Sequence, residues 1–231
     1  MLRFSKSTKL HNFPYTLNNN EPIESVSQFN DLGVIFDSAL SFTPHIDNII
    51  LKSFRMLGFV KRHTLHMSDT RAIQTLYNSL VRSILEYCSI VWSPHYLCHI
   101  NRIERVQNKY TRYYLWKYRF PFKDISYHIR LLLIGLPSLQ LRRNNAAIFF
   151  LFKLLNGTTD SPELLECVNF RVPTRRTRSD QLFLIPYHRT NYGPNSFISK
   201  LLLLYNTFYG QYDLFSTSFE TFKLKIVRGF P

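Results

Sequence analysis

Cysteine is scarce in this sequence: Cys88, Cys98 and Cys167 are the only three among 231 residues. An odd count leaves one thiol outside any disulfide scheme, and a chain this long does not need covalent staples. A reducing, intracellular compartment, nuclear or cytoplasmic, is therefore expected. Long apolar runs are missing as well. Nothing approaches the roughly 18–20 residues that cross a bilayer, and Leu201–Leu204 is a short core-like stretch. The opening MLRFSKSTKL has charge but no apolar segment of the kind a secretory leader needs. No Cys-x2-Cys pair occurs, so His95, Cys98 and His99, preceded by Cys88, fall short of a zinc knuckle. Cys88 is expected instead as a small core hydrophobe on the inward face of a helix. No G-x-S-x-G or related context marks a nucleophile, and there is no internal repeat or low-complexity tract. Carboxylates do not cluster: Asp31, Asp37, Asp47 and Asp69 stand alone.

What the sequence has is positive charge and aromatic mass. Twenty-nine Lys and Arg against fifteen Asp and Glu give a formal charge of +14. That balance points to a polyanionic partner, nucleic acid first and an acidic membrane surface second. Twenty Phe, fourteen Tyr and two Trp bring the aromatic share to 16%, which suits base stacking or dense helix packing. With 45% hydrophobic residues the chain is not compositionally disordered. A fold of this size buries roughly 70–75% of its unfolded surface. Basic amphipathic helices can lie on acidic membranes, but interrupted, core-like stripes argue against a membrane partner here.

Residues 1–40 read as β. Tyr15-Thr16-Leu17, a turn at Asn18-Asn19-Asn20 and then Ile23 to Val26 suggest a hairpin, and Asp31 to Phe36 a third strand. Two or three strands with an open edge cannot stand alone, so the sheet looks unfinished. From residue 41 the apolar period changes from 2 to 3.6. Ser41 or Thr43 can cap a first helix with Pro44 in its opening turn, burying Ile46, Ile49, Ile50, Leu57 and Val60. A second helix starts at Ser68 or Asp69 and turns Ile73, Leu76, Tyr77, Leu80, Ile84 and Cys88 inward, ending near Pro94. A third runs from about Leu97 to Tyr114; short connections make these three antiparallel neighbours. Further on, Asp124 caps a helix that stops at Gly135, and Pro137 opens one that ends at Asn156-Gly157. Ser161-Pro162 starts a short helix, Phe170 to Pro186 reads as extended, and two more helices fall near 195–208 and 218–227.

The third helix has the sharpest pattern. At about 100° per residue, Arg102, Arg105, Lys109 and Arg112 share roughly a quarter of its circumference, opposite Ile100, Ile103, Gln107, Tyr110 and Tyr114. Glu104 lies off that stripe. Such a row is either a solvated face or a phosphate-tracking one; four neutralised phosphates would give a log–log salt slope of about −3 to −4. A second basic cluster, Arg171, Arg175, Arg176 and Arg178, sits in extended chain beside Tyr187 and Tyr192. Arginine with aromatics suits single-strand tracking and stacking, and equally a surface loop made soluble by charge.

The string Asp31-Leu32-Gly33-Val34-Ile35-Phe36-Asp37, followed by Leu40, Phe42, His45 and Ile46, resembles LINE-type (non-LTR) retrotransposon reverse transcriptases. There it joins the last palm hairpin, the primer grip, to the first thumb helix. Leu57 to Arg62, Leu76 to Ser83, Leu85 to Tyr87, Val91 to Pro94, Ile103 to Gln107, Leu139 to Arg143, Phe152 to Gly157, Arg189 to Tyr192 and Tyr205-Asn206 follow in the family's order. The likeness is strongest over 29–115 and closest to the jockey-like branch.

The resemblance implies a fold that is α+β and mostly α. Residues 1–40 would be the residual end of a palm, 41–118 a thumb of three packed helices, and 119–231 a helical C-terminal extension. It implies that Leu32, Gly33 and Val34 are primer-grip-like, with glycine permitting close approach to a primer terminus. The family polymerises DNA on RNA with palm carboxylates that hold two Mg²⁺. Those belong to upstream motifs, so no catalytic residue and no cofactor is expected in this chain, and Met1 reads as an internal methionine of a longer frame. The partners implied are an RNA–DNA template–primer duplex and the missing palm and fingers. The rival expectation is a decayed or domesticated helical protein-interaction module.

Overall fold

Two short strands precede a succession of helices, so the protein is α+β and mostly helical. The computed structural model describes residues 3–4, 15–16, 23–120, 124–172, 181–190 and 193–229. They fall into two compact units, Met1–Cys88 with Pro94–Leu139, and Ser89–Ser93 with Gln140–Pro231. The sequence boundary expected at 118/119 lies inside the first of these.

In the first unit, β1 (Gln28–Asp31) pairs antiparallel with β2 (Val34–Asp37), Asp31 opposite Val34. Leu32 and Gly33 are therefore not mid-strand, as the period-2 reading had them, but a two-residue turn. Their φ angles of 46° and 86° are those of the mirror-image turn whose twist matches the flanking strands. The strand ahead of that turn is Gln28–Asp31, not Ile23–Val26. Ile23 does donate its N–H to the Tyr15 carbonyl at 2.9 Å, but residues 17–22 of the expected first hairpin lie outside the described residues.

The corner into the first helix is built by Asp37. Its carboxylate accepts the Phe42 N–H at 2.9 Å, and its carbonyl accepts that of Leu40. Partial burial alone would raise its pKa; N–H donors from Phe42 and Ser41 and the Ser41 hydroxyl outweigh that and hold it below the usual carboxylate value. The N-cap of α1 (Thr43–His63) is Phe42 in a left-handed conformation, rather than Ser41 or Thr43, with Pro44 in the first turn. Ile46, Ile49, Ile50, Leu57 and Val60 are all buried, as their spacing predicts.

Asp69 caps α2 (Thr70–Leu76), accepting the Arg71 N–H at 2.9 Å. The helix continues as a π-helical stretch, Tyr77–Arg82, and then α3 (Ser83–Glu86). The wider π turn rotates less per residue, so positions four apart stay on one face. Ile73, Tyr77, Val81 and Leu85 are buried in consequence, while Leu76, Leu80 and Ile84, expected inward from a 3.6 period, are half-buried. Cys88 is exposed rather than inward, since the chain leaves the helix at Tyr87 and Cys88 takes a φ of 49°.

The phenol of Tyr77 stacks on Tyr110 of α5 (Leu97–Lys117), ring centroids 3.7 Å apart, and donates to Gln107 at 2.8 Å. Burial drives both phenols far above their ordinary pKa. Ile100, Ile103, Gln107 and Tyr110 are buried as expected, whereas Tyr114, expected with them, is half-buried. Lys117 donates to the carbonyls of Thr64 and Leu65, closing the C-terminus of α1 with a positive charge. Ser126, not Asp124, caps α6 (Tyr127–Ile134), because its hydroxyl is the acceptor within reach of the Ile129 N–H. Gly135 ends that helix at a φ of 71°.

In the second unit, α7 (Leu139–Leu155) continues past the unit boundary, followed by α8 (Pro162–Glu166) and α9 (Phe197–Leu204). A π-helical stretch, Tyr205–Tyr209, and α10 (Phe219–Gly229) complete it. Ile148, Leu151, Phe152, Leu202, Phe222 and Ile226 lie in its core. A bridge joins Phe170 to Phe183 in the extended segment, and the Asn206 side chain takes up both backbone groups of Phe183. The short helix α4 (Ser89–Trp92) belongs here too: Lys200 donates to the Ser93 carbonyl just beyond it at 2.7 Å. Burial and then the charge of Arg143 press the Lys200 pKa down to about 8.

Candidate nucleic-acid interface

The four cations expected on one face of α5 are on one face, but they are not equivalent. Arg102 forms an ion pair with Asp47 of α1, both side chains a little under half exposed. Lys109 stands over the Phe54 ring of α1, 4.6 Å from its centroid. Lys61 lies over Tyr113 at 5.3 Å, its pKa lowered by burial and then by Lys109. Pairs 47/102, 54/109 and 61/113 rise together along both helices, so α1 and α5 run parallel with a cationic seam. Arg105 and Arg112 are exposed, and among the described residues no hydrogen bond or ion pair holds them. Glu104 is spent elsewhere, accepting the Tyr127 hydroxyl at 2.6 Å. Three cations therefore remain uncompensated on this face, where the sequence suggested four.

The row does not stop at Arg112. One turn further, about 6 Å along the axis, the Trp116 side chain lies on the same face and is 53% exposed. After it the helix closes with two crossed hydrogen bonds, Phe120 N–H to Leu115 and Arg119 N–H to Trp116. That closure normally carries glycine at the left-handed position. Here Arg119 holds it at a φ of 55°, at a cost of roughly 1–2 kcal/mol. Trp116 and Arg119 were missed from sequence although the helical wheel places residue 116 in line with the cations.

The hairpin tip is the second feature. Leu32 is 83% exposed, Gly33 follows it with positive φ, and Val34 is buried beneath. Tyr87 supports the tip from below, donating to the Leu32 carbonyl at 2.9 Å. A Cβ on Gly33 would meet the Tyr87 ring at an ordinary 3.5 Å. The outward N–H of Ile35 donates to Nδ1 of His45 at 3.3 Å, so an imidazole rather than a third strand satisfies that point of the sheet edge. His45 is buried, and burial followed by the charge of Lys52 lowers its pKa, favouring the neutral ring that can accept.

Arg175, Arg176 and Arg178, with Tyr192, lie outside the described residues. Arg171 is half-buried and its N–H donates to the Leu182 carbonyl; Tyr187 is almost fully exposed. Among the described residues no cluster of His, Cys, Asp and Glu could hold a metal ion. Asp37, Asp47 and Asp69 are each engaged at a different place, with Phe42, Arg102 and Arg71 respectively. No helix among the described residues is long and apolar enough to cross a membrane. Comparison with family models, with curated proteins and with solved structures finds no match for this chain.

Proposed function

We propose that this chain grips an RNA–DNA template–primer duplex as the thumb and C-terminal extension of a LINE-type reverse transcriptase. The reading joins the ordered string of family-like motifs to one observation above all. Arg105, Lys109 and Arg112 stand in an exposed row on α5, opposite a face that is buried core. Cations spaced along a helix axis meet successive phosphates and read backbone shape, not base sequence. The hairpin tip Leu32-Gly33-Val34, braced by Tyr87, is suited to a primer-grip role. The chemistry of polymerisation would come from a carboxylate-bearing palm that this sequence does not contain.

One observation favours the rival reading, a helical protein-interaction module. Ile129, Leu132 and Leu133 are exposed together on α6, a small apolar face of the kind partners cover. Titrating the chain with a labelled RNA–DNA duplex across a salt series separates the two. Duplex gripping gives a log–log slope of about −3, from three phosphates at 0.9 each. Absence of duplex binding at low salt refutes it and leaves the interaction module.

A further inference from the structure

We infer that the C-terminal end of α5 is a stacking platform for an unpaired nucleobase, with Trp116 as the ring that receives it. The inference rests on the proposed duplex grip and extends it to single-stranded nucleic acid leaving the duplex. Three features converge. Trp116 continues the row Arg105, Lys109, Arg112 by one helical turn, on the same face. It stays 53% exposed although the helix buries eight of its other residues. The chain then turns so that Arg119 and Phe120, both exposed, flank that end, with Arg119 at a position where glycine is usual.

The chemistry needed is simple. A single strand presents a phosphate and an unstacked base at each step, and proteins that take it without sequence preference offer alternating cations and aromatic faces. Arg112 and Arg119 are the cations at this end of the row. Trp116 provides a large ring surface for any base, and Phe120 can border it. A blunt duplex has no base free for that ring, so the platform distinguishes single strands from the duplex that the cations hold. The source of the strand, RNA or DNA, does not matter to the stacking.

Tryptophan emission from the full chain reads this directly. The sequence has two tryptophans, and Trp92 is 1% exposed, so a quencher stacking from outside acts on Trp116. Short oligo(dT) and oligo(rU) should quench the emission on binding, whereas a blunt RNA–DNA duplex should bind without quenching. Trp116→Ala should weaken oligonucleotide binding by about 5- to 140-fold, the range for loss of one base–aromatic stack. It should leave duplex affinity unchanged. Trp116→Phe, which keeps a ring, should abolish the quench yet retain most of the affinity. If the oligonucleotides bind by anisotropy with no quench, and Trp116→Ala binds them as the native chain does, the platform is refuted while the duplex grip stands. If neither oligonucleotide nor duplex binds, the grip itself fails and the platform with it.

Discussion

Changing Asp47 to Asn tests the electrostatics of the α5 face with a gain rather than a loss. Asp47 pairs with Arg102 across the α1–α5 seam, and the side chains are 47% and 41% exposed. A pair this open contributes about 0–1 kcal/mol to stability, so the melting temperature should barely move. Asparagine keeps the size and an acceptor oxygen, which leaves Arg102 in place, but it removes the charge that neutralises it. If the face binds phosphates, a fourth cation becomes available and the log–log salt slope should steepen by about 0.9. Between 50 and 200 mM salt, three phosphate contacts predict an affinity loss of about 40-fold and four a loss of about 150-fold. Fluorescence anisotropy with a labelled RNA–DNA duplex resolves that difference. A variant that folds and binds with the native slope would mean that Arg102 does not face the duplex and that the seam is a structural contact only.

Three further outcomes follow from the hairpin and its corner. Gly33→Ala should lower the urea midpoint by the equivalent of roughly 1–2 kcal/mol, because alanine is strained at a φ of 86° while its methyl fits; a neutral result would mean the turn can be made without glycine. The folded pKa of His45 lies below its ordinary 6.5, so the unfolded chain binds more protons than the folded one as acid is added. Stability from this site is complete above about pH 6.5 and is lost as pH falls through the folded value. His45→Gln, which keeps an acceptor without titrating, should flatten that part of the pH profile, and native stability independent of pH below 6.5 would contradict the assignment. Hydrogen exchange should find the Ile35 amide slow, since it is held by buried His45, and the amides of the exposed strand β1 faster. Equal protection across both strands would show that β1 has cover of its own.

Much of the architecture was legible in the chain because it obeys local rules. The α1 stripe, Pro44 in its first turn, the stops at Gly135 and Gly157 and the start at Ser161-Pro162 depend on residues within a turn of one another. The second helix departs from the 3.6-residue expectation where its period changes. No sequence signal marks the π turn at Tyr77–Arg82, and it moves Val81 and Leu85 inward and Leu80 and Ile84 partly out. The turn at Leu32-Gly33 was hidden because leucine, not asparagine, precedes the glycine. Partners far apart in sequence were illegible altogether: Asp47 reaches Arg102 and Phe54 reaches Lys109 across 55 residues. The motif string around Asp37 gains a physical account from the structure. Gly33 makes the turn, Asp37 pins the corner, Phe42 caps α1 and His45 holds the strand. A corner of that kind uses those residues whatever the chain binds.

If Arg105, Lys109 and Arg112 hold nucleic-acid phosphates, replacing the three together with Gln should release the duplex. All three are exposed, and glutamine is a good helix former, so helix content by circular dichroism should persist. Affinity for RNA–DNA duplexes should fall about equally whatever their sequence, and the salt slope should flatten by about 2.7. Retained helix content with an unchanged affinity and slope would show that the row is a solvated face, and the duplex grip would lose its physical support.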